Sequence, residues 1–556
     1  MNPPAFLILA ACALLAACDD GKHGGGDADA DVLPDGPDGE ADVQADDGAD
    51  PVPDDGDDAE SDDGPADIEP EEIPPPPVEC TVPVEPVDVS SPDTVVGTGT
   101  PGSCTEAALD AALAGGGIIV FDCGGAPATI TVTSEKTITA DTVIDGGGTV
   151  TLSGGGSTRI LALQSSFERD TPSLTVQHLA FSDAFRDGSG EDTEDGGGAI
   201  YRLGGTLTII DCTFTGNRCP PQGQDVAGGA VYSIGIGATT IVGSVFTGNS
   251  CSNGGAIGNL HNPLTLVNST VTGNSATGTG GNPGNGGNGG GIYMDGVGQT
   301  LVICGTTIAG NTGNAFGGGL FRVSNDGTGS TSIDRCTVDG NTIPDHDPSM
   351  AGGLYLQGMA VSMTAATVSA NAASNSGGLF IGPTSTLEMT NVTIASNTAL
   401  SSLGGGMAIS DDVTGTVQSC TFANNSAPGE VAFAAGTVGG AGVTFKNTVF
   451  SGHTVGNAWN PITCRDQHAE GGGNIQWPVL RDSGQSDDPD YLCTSGTLAA
   501  DPLLGELADN GGPTLTLMPR PGSPAIGLAY DCPATDQRGE PRAEPCTSGA
   551  VEAPAP

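Results

Sequence analysis

The sequence predicts an all-β protein folded as a parallel β-helix, a solenoid in which short strands stack coil upon coil. One phrase, usually Thr followed by an apolar residue, two small residues and Asn, occurs eight times within residues 213–425. A second phrase, Gly-Gly followed by apolar and often aromatic residues, alternates with it, as in Gly197-Gly198-Ala199-Ile200-Tyr201. The Asn-to-Asn step varies from 25 to 37 residues, so the strands keep their order while the turns vary in length.

The spacing of apolar residues within a copy assigns the strands. Leu207-Thr208-Ile209 and Cys212-Thr213-Phe214 alternate with a period of two, as half-buried strands do. The Gly-Gly pair before the first strand permits a tight corner where a side chain would clash. Three short strands per copy, each starting at a corner, describe one coil. We expect about nine to eleven coils, with a cap at each end.

The repeat Asn predicts a structural ladder along one corner. Asn tolerates a left-handed backbone, and its amide can hydrogen-bond a turn and the equivalent amide of the next coil. His453 stands where a further Asn is expected and is interpreted as a degenerate member of the ladder. The predicted ladder comprises Asn217, Asn249, Asn274, Asn311, Asn341, Asn371, Asn397 and Asn425.

An outward row of threonines precedes the Asn ladder. Thr–Thr pairs stabilise neighbouring strands, so the row is first of all part of the architecture. A flat Thr face can also bind ice or a polysaccharide, although coils of unequal length argue against ice. The row comprises Thr213, Thr270, Thr307, Thr337, Thr367, Thr393 and Thr421.

The cysteines predict disulfides, which an exported protein can form. Cys219 and Cys251 each follow their repeat Asn by two residues, and equal positions in consecutive coils lie about 4.8 Å apart, within the Cα range of a disulfide. Three more expected pairs are close in sequence: Cys104 with Cys123, Cys464 with Cys493, and Cys532 with Cys546. One inward position, five residues before the repeat Asn, is expected to hold buried thiols rather than a metal site, at Cys212, Cys336 and Cys420.

Residues 1–17 are predicted to be a signal peptide, because their apolar run, residues 6–17, is too short to span a bilayer. Leu15-Ala16-Ala17-Cys18 resembles the lipobox of bacterial lipoproteins. That resemblance implies cleavage before Cys18 and a lipid anchor on this residue. A plain secretory signal, in which Cys18 is incidental, is the alternative.

Residues 18–79 are predicted to be an acidic, disordered tether. The stretch consists almost only of Asp, Glu, Gly, Ala and Pro, with Lys22 as its single strong base, and cannot bury enough apolar surface to fold. An acidic tail that binds a partner is the alternative interpretation. The formal net charge of the whole chain is −52, which argues against nucleic acid as a partner.

The two phrases together resemble a known repeat. Gly-Gly-Ala-Ile or -Val at residues 197–200, 228–231 and 254–257, with Phe-x-x-Asn at 214–217, 246–249 and 422–425, is similar to the repeat pair of chlamydial polymorphic outer membrane proteins. This resemblance covers residues 196–455, where several copies carry Val or Ile in place of Phe. It implies a right-handed parallel β-helix and a family that includes adhesins.

The flanking regions resemble two other families. Residues 104–125 and Ile144-Asp145-Gly146-Gly147 are similar to the N-terminal cap region of pectate-lyase-like β-helices, so residues 80–195 are assigned to a cap and the first coils. Residues 509–514, 521–526 and 532–539 resemble the choice-of-anchor Q domain of bacterial surface proteins. Residues 456–556 are therefore expected to form a C-terminal region with disulfides.

Parallel β-helices also carry polysaccharide lyases and hydrolases, so catalysis must be weighed. A lyase needs a base and a cation at the uronate carboxylate, and a hydrolase needs paired carboxylates. Asp339 has no acidic partner, because Ala309 and Ser369 hold its position in the neighbouring copies. The repeats contain no HExxH, GxSxG, phosphate-loop or CxxC motif, so no catalytic residue is assigned. The basic candidates are scattered and comprise Lys136, Lys446, Arg202, Arg218, Arg322 and Arg335.

Acidic loops offer a weaker possibility, a bound Ca²⁺. Residues 191–195 and Asp345-His346-Asp347 supply clustered oxygen ligands of the kind that Ca²⁺ prefers. Their spacing fits no EF-hand loop, and solvated acidic loops are the simpler interpretation. No residue is therefore assigned to a metal.

These features predict a lipid-anchored protein of the bacterial cell envelope, in the outer membrane or at the cell surface. Its expected role is adhesion, or the binding of a glycan or another surface partner, without catalysis. A carbohydrate-active enzyme, either a lyase or a hydrolase, is the alternative. The loops after each repeat Asn, such as residues 275–289, are where recognition is expected, because loops of a solenoid vary without disturbing its core.

Overall fold

The structure is a computed structural model that describes residues 80–430, 433–481 and 489–554. These residues form a parallel β-helix of three long sheets, which is the predicted fold class. The signal peptide, Cys18 and the acidic tether lie outside the described residues. Within the described part, no helix is long and apolar enough to cross a membrane.

Each coil runs through sheet C, then sheet A, then sheet B. Sheet A has 14 strands, at Thr94–Gly97, Gly117–Asp122, Thr142–Asp145, Ser173–Gln177, Thr206–Ile210, Thr239–Val242, Leu264–Val267, Thr300–Cys304, Ser330–Asp334, Ala360–Thr364, Thr386–Thr390, Thr414–Gln418, Val443–Lys446 and Ala469–Glu470. Sheet B also has 14, at Ala128–Thr131, Val150–Ser153, Ala180–Ser182, Thr213–Thr215, Val245–Thr247, Thr270–Thr272, Thr307–Ala309, Thr337–Asp339, Thr367–Ser369, Thr393–Ala395, Thr421–Ala423, Val449–Ser451, Ile475–Trp477 and Leu498–Ala499. Sheet C has 11, at Lys136–Ile138, Leu161–Gln164, Ile200–Leu203, Val231–Ile234, Ile257–Leu260, Ile292–Asp295, Leu320–Val323, Leu354–Gln357, Leu379–Ile381, Met407–Ile409 and Thr437–Gly439.

Short elements complete the described coils. Two-residue strands pair after the Asn corner, at Ser250–Cys251, Ser275–Ala276, Ala372–Ala373, Thr398–Ala399, Ser426–Ala427 and Thr454–Val455. One α-helix, Glu106–Leu113, packs at the N-terminal end, and 3₁₀ turns lie at Pro101–Ser103 and Thr193–Asp195. An antiparallel hairpin, Leu504–Ala508 with Thr516–Pro519, follows the last coil.

The number of coils differs from the prediction. Sheets A and B each hold 14 strands, whereas the sequence led us to expect nine to eleven coils. The additional coils lie in residues 94–182 and 443–499, where the strands are present but the Asn phrase is absent or degenerate. Counting copies of the Asn phrase therefore underestimates the number of coils, because the coils at both ends lack a clear copy of the phrase.

The core is a continuous apolar column between the three sheets. Strands pair in register from coil to coil, so Phe214 lies opposite Phe181 on one side and Phe246 on the other. These three rings are stacked, with 4.7 Å between the centroids of each neighbouring pair. Because each inward residue contacts its equivalent in the next coil, burial accumulates along the axis although each coil is small.

Both terminal segments lie against the outside of the coils. From Cys80 the chain runs back toward the first coil, and the backbone of Val87 exchanges hydrogen bonds of 2.8 and 3.0 Å with the side chain of Gln177. Beyond residue 503 the C-terminal segment turns back along sheet B, where Leu517 packs on Ala395 and Ala423. A C-terminal cap was expected, and the structure shows in addition that this segment covers the side of the rod.

Candidate functional site

The predicted Asn ladder is present along the corner that follows sheet B. From Asn217 to Asn397, each Asn donates two hydrogen bonds to Oδ1 of the Asn in the next coil, one from its side-chain Nδ2 and one from its backbone N–H. The donor–acceptor distances are 2.9–3.0 Å, and Asn425 is the last acceptor of this kind. The ring of His453 takes the next rung, where Nδ1 accepts from the backbone N–H of Asn425 at 3.2 Å. All these side chains are buried, so the ladder has no surface from which to bind a ligand.

The left-handed backbone at this corner is not on the Asn, so the sequence-based expectation for its backbone is wrong. It falls on the preceding residue, which is Gly216, Gly310 or Gly340 in early coils and Ala370 or Ser396 in later ones. The φ angles of these five residues lie between 52° and 65°. The Asn is therefore favoured for its amide, because Oδ1 accepts from one coil while Nδ2 donates to the next.

Four disulfides join the cysteine pairs that the sequence predicts. The Cα–Cα distance of Cys219 and Cys251 is 4.8 Å, the spacing of adjacent rungs. The other three pairs are Cys104–Cys123, Cys464–Cys493 and Cys532–Cys546. The three thiols of the inward position are buried and free, and burial raises the pKa of each to about 12, at Cys212, Cys336 and Cys420.

A fifth disulfide, between Cys80 and Cys304, was not predicted. The two residues are separated by 224 positions, and Cys80 lies outside the repeat, so neither proximity nor offset indicates the pair. Asp334 lies beside this bond, and the three side chains are the one group in the described chain with the geometry of a metal site. The two sulfur atoms are bonded to each other in the disulfide, so the group does not offer thiolate ligands.

The Thr row faces outward from sheet B, and the C-terminal segment divides it. In the later coils the row is buried, because Thr367 donates to the carbonyl of Leu515 at 2.6 Å and Thr393 donates to Oε1 of Gln537 at 2.6 Å. In the earlier coils the row remains exposed or half-buried, at Thr213, Thr270, Thr307 and Thr337. The threonines of the later coils are therefore bound to the C-terminal segment of the same chain.

The basic residues singled out from the sequence lie in separate parts of the described fold. Lys136 is buried between Glu106 and Asp110, at 2.6 and 2.8 Å, and Arg335 pairs with Asp334 at 2.8 Å. Arg218 lies over the ring of Phe185, and Lys446 forms an ion pair with Asp531. Arg202 and Arg322 are buried inside the coils. Asp339 lies between Ala309 and Ser369, as predicted, and accepts a hydrogen bond of 2.6 Å from the Ser369 hydroxyl.

The acidic loops use their carboxylates within the protein. Asp345 accepts hydrogen bonds from the hydroxyls of Ser374 and Ser401, which lowers the pKa of Asp345. Asp195 is buried and accepts from the backbone N–H of Gly190 at 2.9 Å. These bonds fix the loops, and a Ca²⁺ site at either loop stays a prediction.

An aromatic row on the outer face of sheet C is buried under loops. It consists of Tyr201, Tyr232, Tyr293, Phe321, Tyr355 and Phe380. Asp295 lies beside it and accepts hydrogen bonds from the hydroxyl of Tyr293 at 3.1 Å and from Asn282 at 3.0 Å. Burial raises the pKa of Asp295, and burial together with the charge of Asp295 raises the pKa of Asp225. Sequence patterns missed this acidic pair, because Asp225 lies in a turn, Asp295 ends the strand Ile292–Asp295, and no common offset in the repeat relates the two residues.

An open cleft of about 770 Å³ lies where sheet C turns into sheet A in two early coils. Its polar side chains include those of Thr139, Asp141, Gln164, Ser166 and Arg169. The N–H and the hydroxyl of Ser173 donate to Asp141 at 2.8 and 3.0 Å, which lowers the pKa of this carboxyl. Arg169 is exposed and lines the cleft, and its guanidinium makes no hydrogen bond or ion pair with a described residue.

Exposed apolar side chains continue from the cleft along the same turn. Phe167 is 38% exposed, Ile236 is 48% exposed and Val297 is 41% exposed, each in the turn from sheet C to sheet A of its coil. The ring of His261 lies edge-on to Phe167, with 5.7 Å between ring centroids. We call the cleft and these four side chains the C–A surface. An exposed row of apolar side chains beside a polar cleft is typical of a binding site.

Comparison with known protein families supports the architecture. A family described as "Right handed beta helix region" matches residues 290–461, which cover the later part of the repeat region and six residues beyond it. The fold is a right-handed parallel β-helix. No curated protein sequence matches the chain.

Three solved structures illustrate what the coils are similar to. The A-module of the mannuronan C-5 epimerase AlgE4 of Azotobacter vinelandii is 12% identical, with 68% of this chain and 99% of that chain covered and a TM-score of 0.30. PfbA, a surface adhesin of Streptococcus pneumoniae, is 11% identical over 64% and 91% of the two chains, with a TM-score of 0.29. The A-module of the A. vinelandii epimerase AlgE6 is 14% identical over 74% and 100%, with a TM-score of 0.26.

Proposed function

We propose that this protein is exported, is anchored to the bacterial cell envelope through a lipid on Cys18, and binds an extended polysaccharide without cleaving it. The five disulfides of the described residues favour export, because such bonds form in oxidising compartments. The C–A surface is the observation that carries the binding proposal. It combines the polar cleft with the exposed row at Phe167, Ile236 and Val297.

The chemistry of the C–A surface fits a sugar chain. A pyranose ring has an apolar C–H face and a rim of hydroxyls, so it needs an apolar contact together with fixed donors and acceptors. Phe167 provides the apolar contact, Asp141 an acceptor and Arg169 a donor. The row extends along the rod axis, because its members occupy the same turn of different coils, so a linear polymer can contact several coils at once.

The charge of the protein favours a neutral polysaccharide over a polyanion. The formal net charge of −52 repels an acidic polymer at long range, and Asp141 adds a negative charge within the cleft. Arg169 is the single cation among the lining residues of the cleft. We therefore expect a neutral glycan to bind more tightly than its uronic-acid counterpart, most clearly at low salt.

Binding is tested with the purified full chain on an array of neutral and acidic glycans. Arg169→Ala is expected to weaken binding by roughly ten- to a hundredfold, because a hydrogen bond from a charged donor contributes roughly 1.5–3 kcal/mol. Phe167→Ala is expected to weaken binding as well. Arg520→Ala and Trp459→Ala, two exposed side chains outside the C–A surface, serve as matched controls. Equal losses in the controls, or none in the C–A variants, would contradict the proposed site.

The anchor is tested separately from the binding. Metabolic labelling with palmitate is expected to label the wild-type protein and not Cys18→Ser. Proteinase treatment of intact cells should then remove the labelled protein if it is exposed on the surface. Failure of labelling would contradict the lipid anchor, and it would leave the glycan-binding result unaffected.

The acidic pair Asp225 and Asp295 favours a second candidate, a carbohydrate-active enzyme. Carboxyl groups with raised pKa beside a Tyr hydroxyl and a His ring can act as general acids. Against this reading, Asp295 is buried beneath the loop of Asn282, so a substrate reaches it only if the loop moves. Release of shorter or unsaturated products from a polysaccharide, abolished by Asp295→Asn, would favour the enzyme over a binding protein.

A further inference from the structure

Three side chains able to bind a metal meet at the corner between sheets A and B. They are Cys80, Cys304 and Asp334, whose ligand atoms all lie within 4.8 Å of one another. Cys304 and Asp334 end neighbouring strands of sheet A and are partners in register, and Cys80 begins the described N-terminal segment. Sγ of Cys304 lies 3.5 Å from Oδ2 of Asp334.

Cys80 is held in place by contacts that do not depend on the disulfide. Its N–H donates to Oδ1 of Asn268 at 2.8 Å, and Nδ2 of Asn268 donates to its carbonyl at 2.9 Å. The Cα atoms of Cys80 and Cys304 lie 6.0 Å apart, and Cys304 is fixed in the middle of sheet A. Cleavage of the sulfur–sulfur bond therefore leaves the two thiols close to each other and to Asp334.

The corner leaves room for an ion beside these sulfurs. Gly305, which follows Cys304, has a left-handed backbone with a φ of 59°, and a Cβ at this position would lie 3.1 Å from Sγ of Cys80. A side chain here would crowd the sulfur, whereas glycine leaves this side of it open. Cys304 and Asp334 are half-buried, so the group can exchange an ion with solvent.

The charges around this group suit a divalent cation. Nη2 of Arg335 lies 3.4 Å from Sγ of Cys304, and its Nε and Nη2 lie 2.9 and 2.8 Å from Oδ2 of Asp334. A guanidinium beside a thiol favours the thiolate, and a hydrogen-bond donor on a carboxylate fixes its orientation as a metal ligand. Two thiolates and one carboxylate carry three negative charges, which a divalent cation and Arg335 together balance.

We propose that Cys80, Cys304 and Asp334 form a redox-controlled zinc site, which is closed by the disulfide in the oxidised protein and binds Zn²⁺ after reduction. A dithiol reductant transfers two electrons and two protons to the Cys80–Cys304 bond and itself becomes a disulfide. Zn²⁺ then displaces the two thiol protons and binds both sulfurs and the Asp334 carboxylate, with water as the fourth ligand. Thiolates favour zinc over Ca²⁺ and Mg²⁺, which prefer oxygen ligands. The N-terminal segment thus stays joined to the middle of the rod in both states.

Zinc is counted on the full chain. The protein is reduced with a phosphine, which adds no competing thiol, incubated with zinc sulfate and passed through gel filtration without oxygen. We expect about one zinc per reduced wild-type chain and almost none in the oxidised protein, since only thiolates bind the metal. Cobalt(II) in place of zinc should give the visible absorption bands of tetrahedral sulfur coordination. Amide exchange at Val87 should become faster on reduction and slow again when zinc is added.

Matched variants assign the ligands. Replacing Cys80 and Cys304 together by Ser is expected to abolish zinc binding by the reduced protein. The same change at Cys532 and Cys546, a disulfide that belongs to no such three-ligand group in the described chain, should leave binding unchanged. Asp334→Asn still allows the disulfide to form and is expected to weaken zinc binding roughly tenfold or more. Less than about a tenth of a zinc per reduced wild-type chain, or unchanged affinity in Asp334→Asn, would overturn the proposal.

Discussion

Each ladder Asn is connected to the coils on both sides by side-chain hydrogen bonds. Oδ1 of Asn341 accepts from the N–H and the Nδ2 of Asn311, and its own Nδ2 donates to Oδ1 of Asn371 and to the carbonyl of Ile308. These atoms are buried, so water cannot replace a lost partner. The ladder therefore stabilises a corner at which the backbone groups of three coils meet.

Asn341→Ala is expected to lower the free energy of unfolding by roughly 3 kcal/mol or more, because it leaves the buried N–H of Asn311 without an acceptor. Denaturation in guanidinium measures the change. The matched control is Thr337→Ala in the strand that precedes the same corner, which is expected to change stability by less than about 1 kcal/mol. Equal effects of the two substitutions would show that the ladder contributes no more than the outward Thr row.

The ladder makes the protein sensitive to acid at one residue. Nδ1 of His453 accepts a hydrogen bond from Asn425, and burial lowers the pKa of His453 from 6.5 to about 4. The neutral ring is favoured in the folded state, so its contribution is complete above pH 6.5 and is lost as the pH falls toward 4. The loss amounts to about 3 kcal/mol over this window.

His453→Asn continues the ladder with a side chain that does not titrate. We expect the unfolding midpoint of this variant to fall less than that of the wild type between pH 7 and pH 4. Comparing the two pH profiles isolates His453, because the carboxylates and the buried His468, whose pKa burial also lowers to about 4, titrate in both proteins. Parallel profiles for the two proteins would contradict the assignment.

The repeat explains which single-residue features the sequence could predict. The ladder and the Cys219–Cys251 bond follow from equal offsets in successive copies, since equal offsets stack in register. The Cys80–Cys304 bond and the buried Arg202 follow from no offset, because Cys80 lies outside the repeat and Ser233, Asn259 and Met294 take the position of Arg202 in the following coils. The sequence repeat therefore predicts the features that all coils share, and it does not predict features that belong to individual coils.

At the scale of elements, the C-terminal segment is the least predictable part of the described fold. It has no period, and its contacts reach residues far away in sequence: Nε2 of Gln537 donates to the hydroxyl of Thr367 at 2.8 Å, across 170 positions. The same amide donates to the hydroxyl of Thr514 at 2.8 Å and accepts from Thr393 at 2.6 Å. Gln537 thus connects two outward threonines of neighbouring coils with the hairpin region of its own segment.

Gln537→Ala is expected to loosen the C-terminal segment and to lower the free energy of unfolding by roughly 2–3 kcal/mol, because several buried hydroxyls and carbonyls lose a partner. Limited proteolysis under non-reducing conditions should cut residues 509–554 faster, and amide exchange in sheet B at Thr367 and Thr393 should increase. Glu540→Ala, an exposed position of the same segment, is the control and should leave both measurements unchanged. Unaltered proteolysis in Gln537→Ala would show that the hairpin alone holds the segment.

At the scale of the whole molecule, both terminal segments use the corner between sheets A and B. Asn268 exchanges hydrogen bonds of 2.8 and 2.9 Å with the backbone of Cys80. Toward the C-terminal end of the rod, Nδ2 of Asn391 and Nδ2 of Asn447 donate to the carbonyls of Thr535 and Tyr530, at 2.9 and 2.8 Å. All three Asn residues have a left-handed backbone, with φ between 49° and 55°. The corner therefore binds extended chain in the same way at the middle of the rod and toward its C-terminal end, and the two segments reinforce a rod whose coils otherwise contact mainly their neighbours.

The Cys80–Cys304 disulfide fixes the N-terminal segment at the middle of the rod, because Cys304 lies in the eighth of the 14 strands of sheet A. Any force applied to the chain before Cys80 passes directly to this strand and bypasses the first seven. Replacing both cysteines by Ser leaves the hydrogen bonds with Asn268 to hold the described start of this segment. We expect amide exchange around Val87 to increase and the unfolding midpoint to fall.

The loop closed by each disulfide sets the expected size of the loss. A bond spanning 224 residues restricts the unfolded chain more than one spanning 14, by chain entropy roughly 5 against 3 kcal/mol. The matched control is therefore the double Ser variant of Cys532 and Cys546. Guanidinium unfolding without reductant compares the two variants, and amide exchange shows which segment each one releases. If removal of the short-loop bond costs as much as removal of Cys80–Cys304, entropy of the unfolded chain is not the source of the stabilisation. The bond would then act by holding the folded segment in place, and exchange at Val87 would report that effect directly.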